Sequence, residues 1–178
     1  MLQSKKVTNL VDKVANLNRV WEILSTSYKD VPGGLLFADK NDLLYSTDMW
    51  KLILKKGKII AVTVFKAKYG LKLVAMGADK LSYGKQAVVA LSKRITEDLK
   101  HIWMEVSDAA ETFLMTQCHA YRYIIHNSYA TALLKKNVTI ESDGYHYSRK
   151  ISDISKSKII VGTPSTSILF NTPQNNTY

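Results

Sequence analysis

Two stretches of this 178-residue chain combine residue types and spacings that can do chemistry. The first is Lys80-Leu81-Ser82-Tyr83-Gly84-Lys85, which follows an apolar, β-branched run and opens a segment of helical periodicity. Backbone N–H groups at a helix N-terminus lack an intrahelical partner, and the dipole there favours negative charge. A strand that delivers a turn to such a terminus can hold a phosphate. Lys80 and Lys85 add positive charge to the turn. The second stretch is Tyr121-Arg122-Tyr123-Ile124-Ile125-His126, which ends at Asn127 and passes into Ser128-Tyr129-Ala130. Asparagine is a favoured N-cap, so capping alone accounts for Asn127, and ligand contact is the alternative.

Fewer other residues carry a chemical pattern. Asp79 directly follows the first apolar run; it is a candidate base, and a turn aspartate is the favoured reading because aspartate is common in turns. His101, His119, His126 and His146 do not pair with cysteine or acid at metal-ligand spacing, and no metal is expected. Cys118 beside His119 is no nucleophile motif; a buried thiol is the default. Gly-x-Ser-x-Gly, Walker and Rossmann patterns do not occur.

These residues need elements to position them. Apolar residues Leu10, Val14, Leu17, Trp21 and Leu24 form one stripe, which predicts a helix over residues 9–29 with Thr8 or Asn9 as cap. Pro32-Gly33-Gly34 ends it. Leu35-Leu36-Phe37 and Leu43-Leu44-Tyr45 are candidate short strands. A meander follows, with strands over 50–54, 59–65 and 71–77 separated by Lys56-Gly57 and Tyr69-Gly70. Its middle strand is apolar on both faces, which requires helices on both sides of the sheet. Residues 84–117 keep helical spacing through Ala87, Leu91, Ile95, Leu99, Ile102, Val106, Ala109 and Phe113. That predicts one long helix, or one broken near Ser107-Asp108; a strand over 102–106 is the alternative, and periodicity favours helix. A strand over 121–126, a helix over 128–136, a hairpin around Ser142-Asp143-Gly144 and a last strand over 158–161 complete the order. The expected domain covers residues 1–162, and 163–178 form a polar tail.

Composition bounds the setting. An apolar fraction of 46% fits a globular chain, and no run of eighteen apolar residues predicts a membrane span. One cysteine excludes an intrachain disulfide, and the first six residues lack a secretory apolar core, so a cytoplasmic location is expected. The net charge of +10 would attract nucleic acid, coenzyme phosphates or an acidic protein. Lys55, Lys56 and Lys58, and Lys66, Lys68 and Lys72, sit at the meander turns, where charge also protects a sheet from edge pairing.

The order helix, antiparallel meander, helix, strand, helix, hairpin resembles the GCN5-related N-acetyltransferase (GNAT) fold over roughly residues 9–162. The resemblance implies a single-domain α/β fold with a mixed, mostly antiparallel sheet flanked by helices. The family's Gln/Arg-x-x-Gly-x-Gly/Ala loop, whose amides hold the pyrophosphate of acetyl-CoA, corresponds to Leu81-Ser82-Tyr83-Gly84-Lys85-Gln86, where Gly84 alone fits. The family's Asn-x-x-Ala-x-x-Leu-Tyr motif is matched at Asn127, Ala130 and Leu133, and Leu134 replaces the tyrosine that commonly protonates the departing thiolate. By this resemblance, Lys80, Ser82, Tyr83, Gly84 and Lys85 bind the pyrophosphate and a strand N–H near Val74, Ala75 and Met76 polarises the acyl carbonyl. Asn127 closes a cleft between the third meander strand and the 121–126 strand. Asp79 is the implied base, and Tyr129 the nearest tyrosine to the vacated acid position. The implied activity is acyl-CoA-dependent transfer to an amine substrate. The chain is also similar to degenerate members of this fold encoded by tailed bacteriophages, which implies as the alternative a silent binding, virion or host-interaction protein.

Overall fold

The computed structural model describes residues 2–31, 34–67, 71–98, 101–106, 108–118, 124–127 and 158–161. These fall into two units, one drawn from Met1–Lys66 and Leu73–Ile95, the other from Ala67–Lys72 and Thr96–Tyr178.

The first unit begins with β1 (Leu2–Val7), which pairs antiparallel with β2 (Met49–Lys55) from Leu2↔Lys55 to Val7↔Trp50. Between them lie α1 (Leu10–Ser27) and α2 (Lys40–Ser46). Asn9 caps α1 by accepting the Asp12 amide at 2.8 Å. Asp39 caps α2 in the same way, and Asp42 reaches back to the Ala38 amide, a reciprocal cap. This capping explains why Leu43 and Leu44 are helical rather than in the expected short strand; both are buried from one helix face. Leu35-Leu36-Phe37 is not a strand either, and Phe37 instead plugs the core.

β2 turns into β3 (Lys58–Ala67) through Lys56 and Gly57, both at positive φ (51° and 77°), the requirement of a tight two-residue hairpin. The ladder slips between Ile53 and Leu54, so Ile53 faces Ala61 while Leu54 faces Ile59. That bulge lets Ile59 before it, and Val62 and Val64 after it, join one cluster with Val20, Ile23, Leu24, Trp50 and Ala75. Ile60, Ala61, Thr63 and Phe65 are buried as well, as expected for a strand covered on both faces. Each buried Ile, Val or Phe of this strand contributes roughly 1.5–3 kcal/mol by leaving water. β4 (Leu71–Ala78) completes a four-stranded antiparallel sheet in the order β1-β2-β3-β4. The chain then enters α3 (Lys80–Tyr83) and α4 (Lys85–Asp98).

One buried cation sits in this unit. Lys13 donates from Nζ to the Thr47 carbonyl at 2.6 Å and lies 5.8 Å from the Trp50 ring centre. Burial pulls its pKa below the usual lysine value, against the opposing charge of Asp48.

In the second unit, β5 (Trp103–Val106) pairs antiparallel with β7 (Lys158–Val161), and β7 with β6 (Ile124–Asn127). Lys72 of β4 pairs with Trp103 in parallel. α5 (Asp108–Gln117) follows β5. The expected helix over 84–117 is therefore two helices with a strand between them. Ile102 and Met104 are each 2% exposed, and burial two residues apart is the period of a strand. The last strand lies where expected. The helix over 128–136 and the hairpin around Asp143 lie outside the described residues.

Candidate active site

The turn that leaves β4 is built by Asp79. Its carboxylate accepts the Ser82 amide at 2.9 Å, capping α3, and its own amide donates to the Ile60 carbonyl at 2.8 Å. Arg19 reaches this turn from α1. Its guanidinium donates to Asp79 at 2.6 Å, to Glu22 at 2.6 Å and to the Ile59 carbonyl at 2.8 Å. The bulge in β3 thus offers one carbonyl to Arg19 and the next to Asp79. Burial pushes the Asp79 carboxyl up, but the hydrogen bonds from Arg19 and Ser82 and the Arg19 charge outweigh it and hold it below the usual range. The hydrogen bonds and charges of Asp79 and Glu22 raise Arg19 against its own desolvation.

After Tyr83 the chain reverses at Gly84, with φ 60° and ψ −143°, a region essentially reserved for glycine. The Gly84 amide closes α3 on the Lys80 carbonyl, and α4 starts at the next residue. A Cβ built on Gly84 would meet nothing within 4 Å, so space lies open against its backbone. Lys80, Ser82 and Lys85 are exposed around it. Lys55, at the end of β2, donates to the Gln86 side chain at 2.7 Å, which carries hairpin charge to the first turn of α4. A groove of about 350 Å³ beside the turn is lined by Asn16, Arg19, Leu54, Lys58, Ile59 and Tyr83, among others.

The strand leading into the turn has a defined polarity. Because the Asp79 amide points to β3, strand alternation turns the amides of Val74, Met76 and Ala78 to the opposite edge. There the Met76 N–H donates to the Tyr28 hydroxyl at 3.0 Å. Burial raises the Tyr28 pKa, with the Met76 bond opposing, so the phenol is neutral at pH 7. Ser27 packs beside it, and a Cβ on Gly77 would lie 2.7 Å from Ser27 Oγ. Gly77 is the close-approach point of α1 on β4.

No protein-family model matches the sequence, and no curated protein matches it. Among solved structures, the chain is similar to the polyamine N-acetyltransferase of Drosophila melanogaster. The identity is 12%, the TM-score 0.50, and the match covers 90% of this chain and 98% of that one. The fold is that of the GCN5-related N-acetyltransferases. A match to the ribosomal-protein-S18-alanine N-acetyltransferase of Escherichia coli has 12% identity and TM-score 0.45, over 92% and 95% of the two chains. At 12% identity the likeness to the Drosophila protein concerns the fold alone.

The GNAT fold places the expected residues unevenly. Asp79, Lys80, Ser82, Tyr83, Gly84 and Lys85 come together on one turn, with Val74, Ala75 and Met76 on the strand that feeds it. Asn127, read in the sequence as closing a cleft between the third meander strand and the 121–126 strand, ends β6 opposite Lys158 of β7. Tyr129 and the rest of that motif lie outside the described residues. Arg19 and Tyr28 were not anticipated. Their partners are 60 and 48 residues away, and no local spacing announces them.

Cys118 is a buried thiol, as expected. Burial, only partly opposed by Thr96, pushes its pKa up to about 12.

Proposed function

We propose that the protein is an acyl-CoA-dependent N-acyltransferase that moves an acetyl group to an amine. The observation that carries this reading is the Gly84 turn. It combines a glycine-only conformation, open space where a side chain would stand and the first turn of a 14-residue helix, with Lys55, Lys80 and Lys85 around it. A diphosphate fits such a place: backbone can approach it closely, and both dipole and lysines carry the right sign. The residues present therefore suit acetyl-CoA, with Lys80, Ser82, Tyr83, Gly84 and Lys85 as the binding set. The Drosophila protein of the same fold is named for acetylating polyamines, which supports an amine as acceptor.

When bound, acetyl-CoA supplies an acyl group activated as a thioester. The chain's part in the transfer is to orient and polarise. A strand N–H at Met76 can donate to an acyl carbonyl and stabilise the charge that develops on its oxygen. Asp79 is a weak base here because Arg19 keeps it ionised and occupied. Its role in this reading is to fix the turn.

The test is calorimetric titration with acetyl-CoA and with CoA. Micromolar binding of both, abolished by Gly84→Glu, is expected; no heat from either at millimolar concentration overturns the proposal. A second reading, a catalytically silent binding protein, is favoured by two observations: the Met76 amide already has a partner, and Asp79 is locked in an ion pair. Binding of both ligands without turnover of any amine in a polyamine and peptide panel would favour it.

A further inference from the structure

Tyr28 is the C-cap residue of α1, and its ring packs against the core cluster around Trp50 and Val62. Its hydroxyl oxygen accepts the Met76 N–H at 3.0 Å, on the edge of β4 that faces away from β3. An amide N–H gives one good hydrogen bond, and a phenol oxygen and a carbonyl oxygen both ask for it as acceptors. The ring is held by packing, and the helix that carries it is held by the close approach of Ser27 to Gly77 and by the Arg19 ion pair to Asp79. The hydroxyl is thus a placed acceptor rather than a wandering surface group.

Resting on the acyl-CoA reading above, we propose that the Tyr28 hydroxyl and the acyl carbonyl compete for the Met76 N–H, so that Tyr28 sets the preference between acyl-CoA and free CoA. Free CoA ends in a thiol, a weak acceptor that does not contest the amide. It binds with the tyrosine bond intact. Acetyl-CoA gains its carbonyl bond only by displacing the phenol. The residue therefore narrows the advantage of the acylated cofactor over the spent one.

The experiment measures acetyl-CoA and CoA affinities by calorimetry for the parent and for Tyr28→Phe, which keeps the ring and removes the acceptor. Acetyl-CoA is expected to bind the variant roughly three- to tenfold more tightly, the equivalent of one neutral hydrogen bond, while CoA binding is unchanged. Equal shifts for both ligands, or none for either, overturn the proposal while leaving the cofactor reading standing. Failure of both proteins to bind either ligand overturns the cofactor reading, and this inference with it. An independent measurement covers the case in which the variant does not fold. In the unaltered protein the Met76 amide resonance should move at saturating acetyl-CoA and stay put with CoA; an unmoved resonance with acetyl-CoA overturns the competition.

Discussion

At Gly84, substitution separates backbone strain from crowding. The Cβ of an alanine would touch nothing, so any loss of stability in Gly84→Ala comes from φ and ψ alone. A loss of about 1–3 kcal/mol is expected in urea denaturation. Asp79 makes a pH-dependent contribution. Its folded pKa lies below the unfolded value of about 3.9, so the stabilisation is present above that value and is lost as pH falls through the folded one. Asp79→Asn should therefore be less stable than the parent by about 1.5–3 kcal/mol at pH 7, with the gap closing as pH falls below about 3.9. Denaturation midpoints of both proteins across pH 2–7 check this; a gap that widens in acid would contradict the ion pair. Cys118, with its thiol pushed up to about 12, should resist a water-soluble thiol reagent in the native protein and react fully in denaturant.

At the scale of elements, α1 and β4 meet at a point with no room to spare. Gly77→Ala places a methyl 2.7 Å from Ser27 Oγ and 3.2 Å from Ser27 Cβ. It is expected to lower stability by about 1–3 kcal/mol, and by less in a Ser27→Ala background, where the nearest atom is gone. Thermal melts of the four proteins measure that coupling. Residues of this kind mark what a sequence leaves illegible. The strands β2, β3 and β4 were readable because β-branched runs are broken by a glycine turn, and α1 because its apolar stripe and cap agree. β1 was not: five of its six residues are exposed and two are lysines, so it shows no alternation and is a strand only through pairing with β2. β5 was hidden because Ile102 and Val106 satisfy a helical spacing as well as a strand one. Of the candidate site, the Gly84 turn was legible, since it is local. Arg19 and Tyr28 were not, since tertiary packing alone brings them to Asp79 and Met76.

For the molecule as a whole, the net charge of +10 gives a field that reaches beyond any one contact. The structure puts part of it to a local use, since Lys55 lies at the start of α4 and Lys58 lines the groove beside Tyr83. Binding of a polyanionic cofactor should then weaken several-fold between about 0.05 and 0.3 M salt, as screening shortens the reach of these charges from roughly 14 to 6 Å. Calorimetry across that range tests it, and affinity independent of salt would argue that the lysines play no part. Among the described residues, no helix is long and apolar enough to cross a membrane.

The Arg19 contact to Asp79 joins residues 60 positions apart, and it has a consequence for how the chain matures. The Gly84 turn is local in sequence, yet the Asp79 that caps it also accepts a hydrogen bond from a helix made far earlier in synthesis. Any opening of α1 therefore loosens the Asp79 cap on Ser82, so the exchange rate of the Ser82 amide is a remote gauge of that helix's breathing.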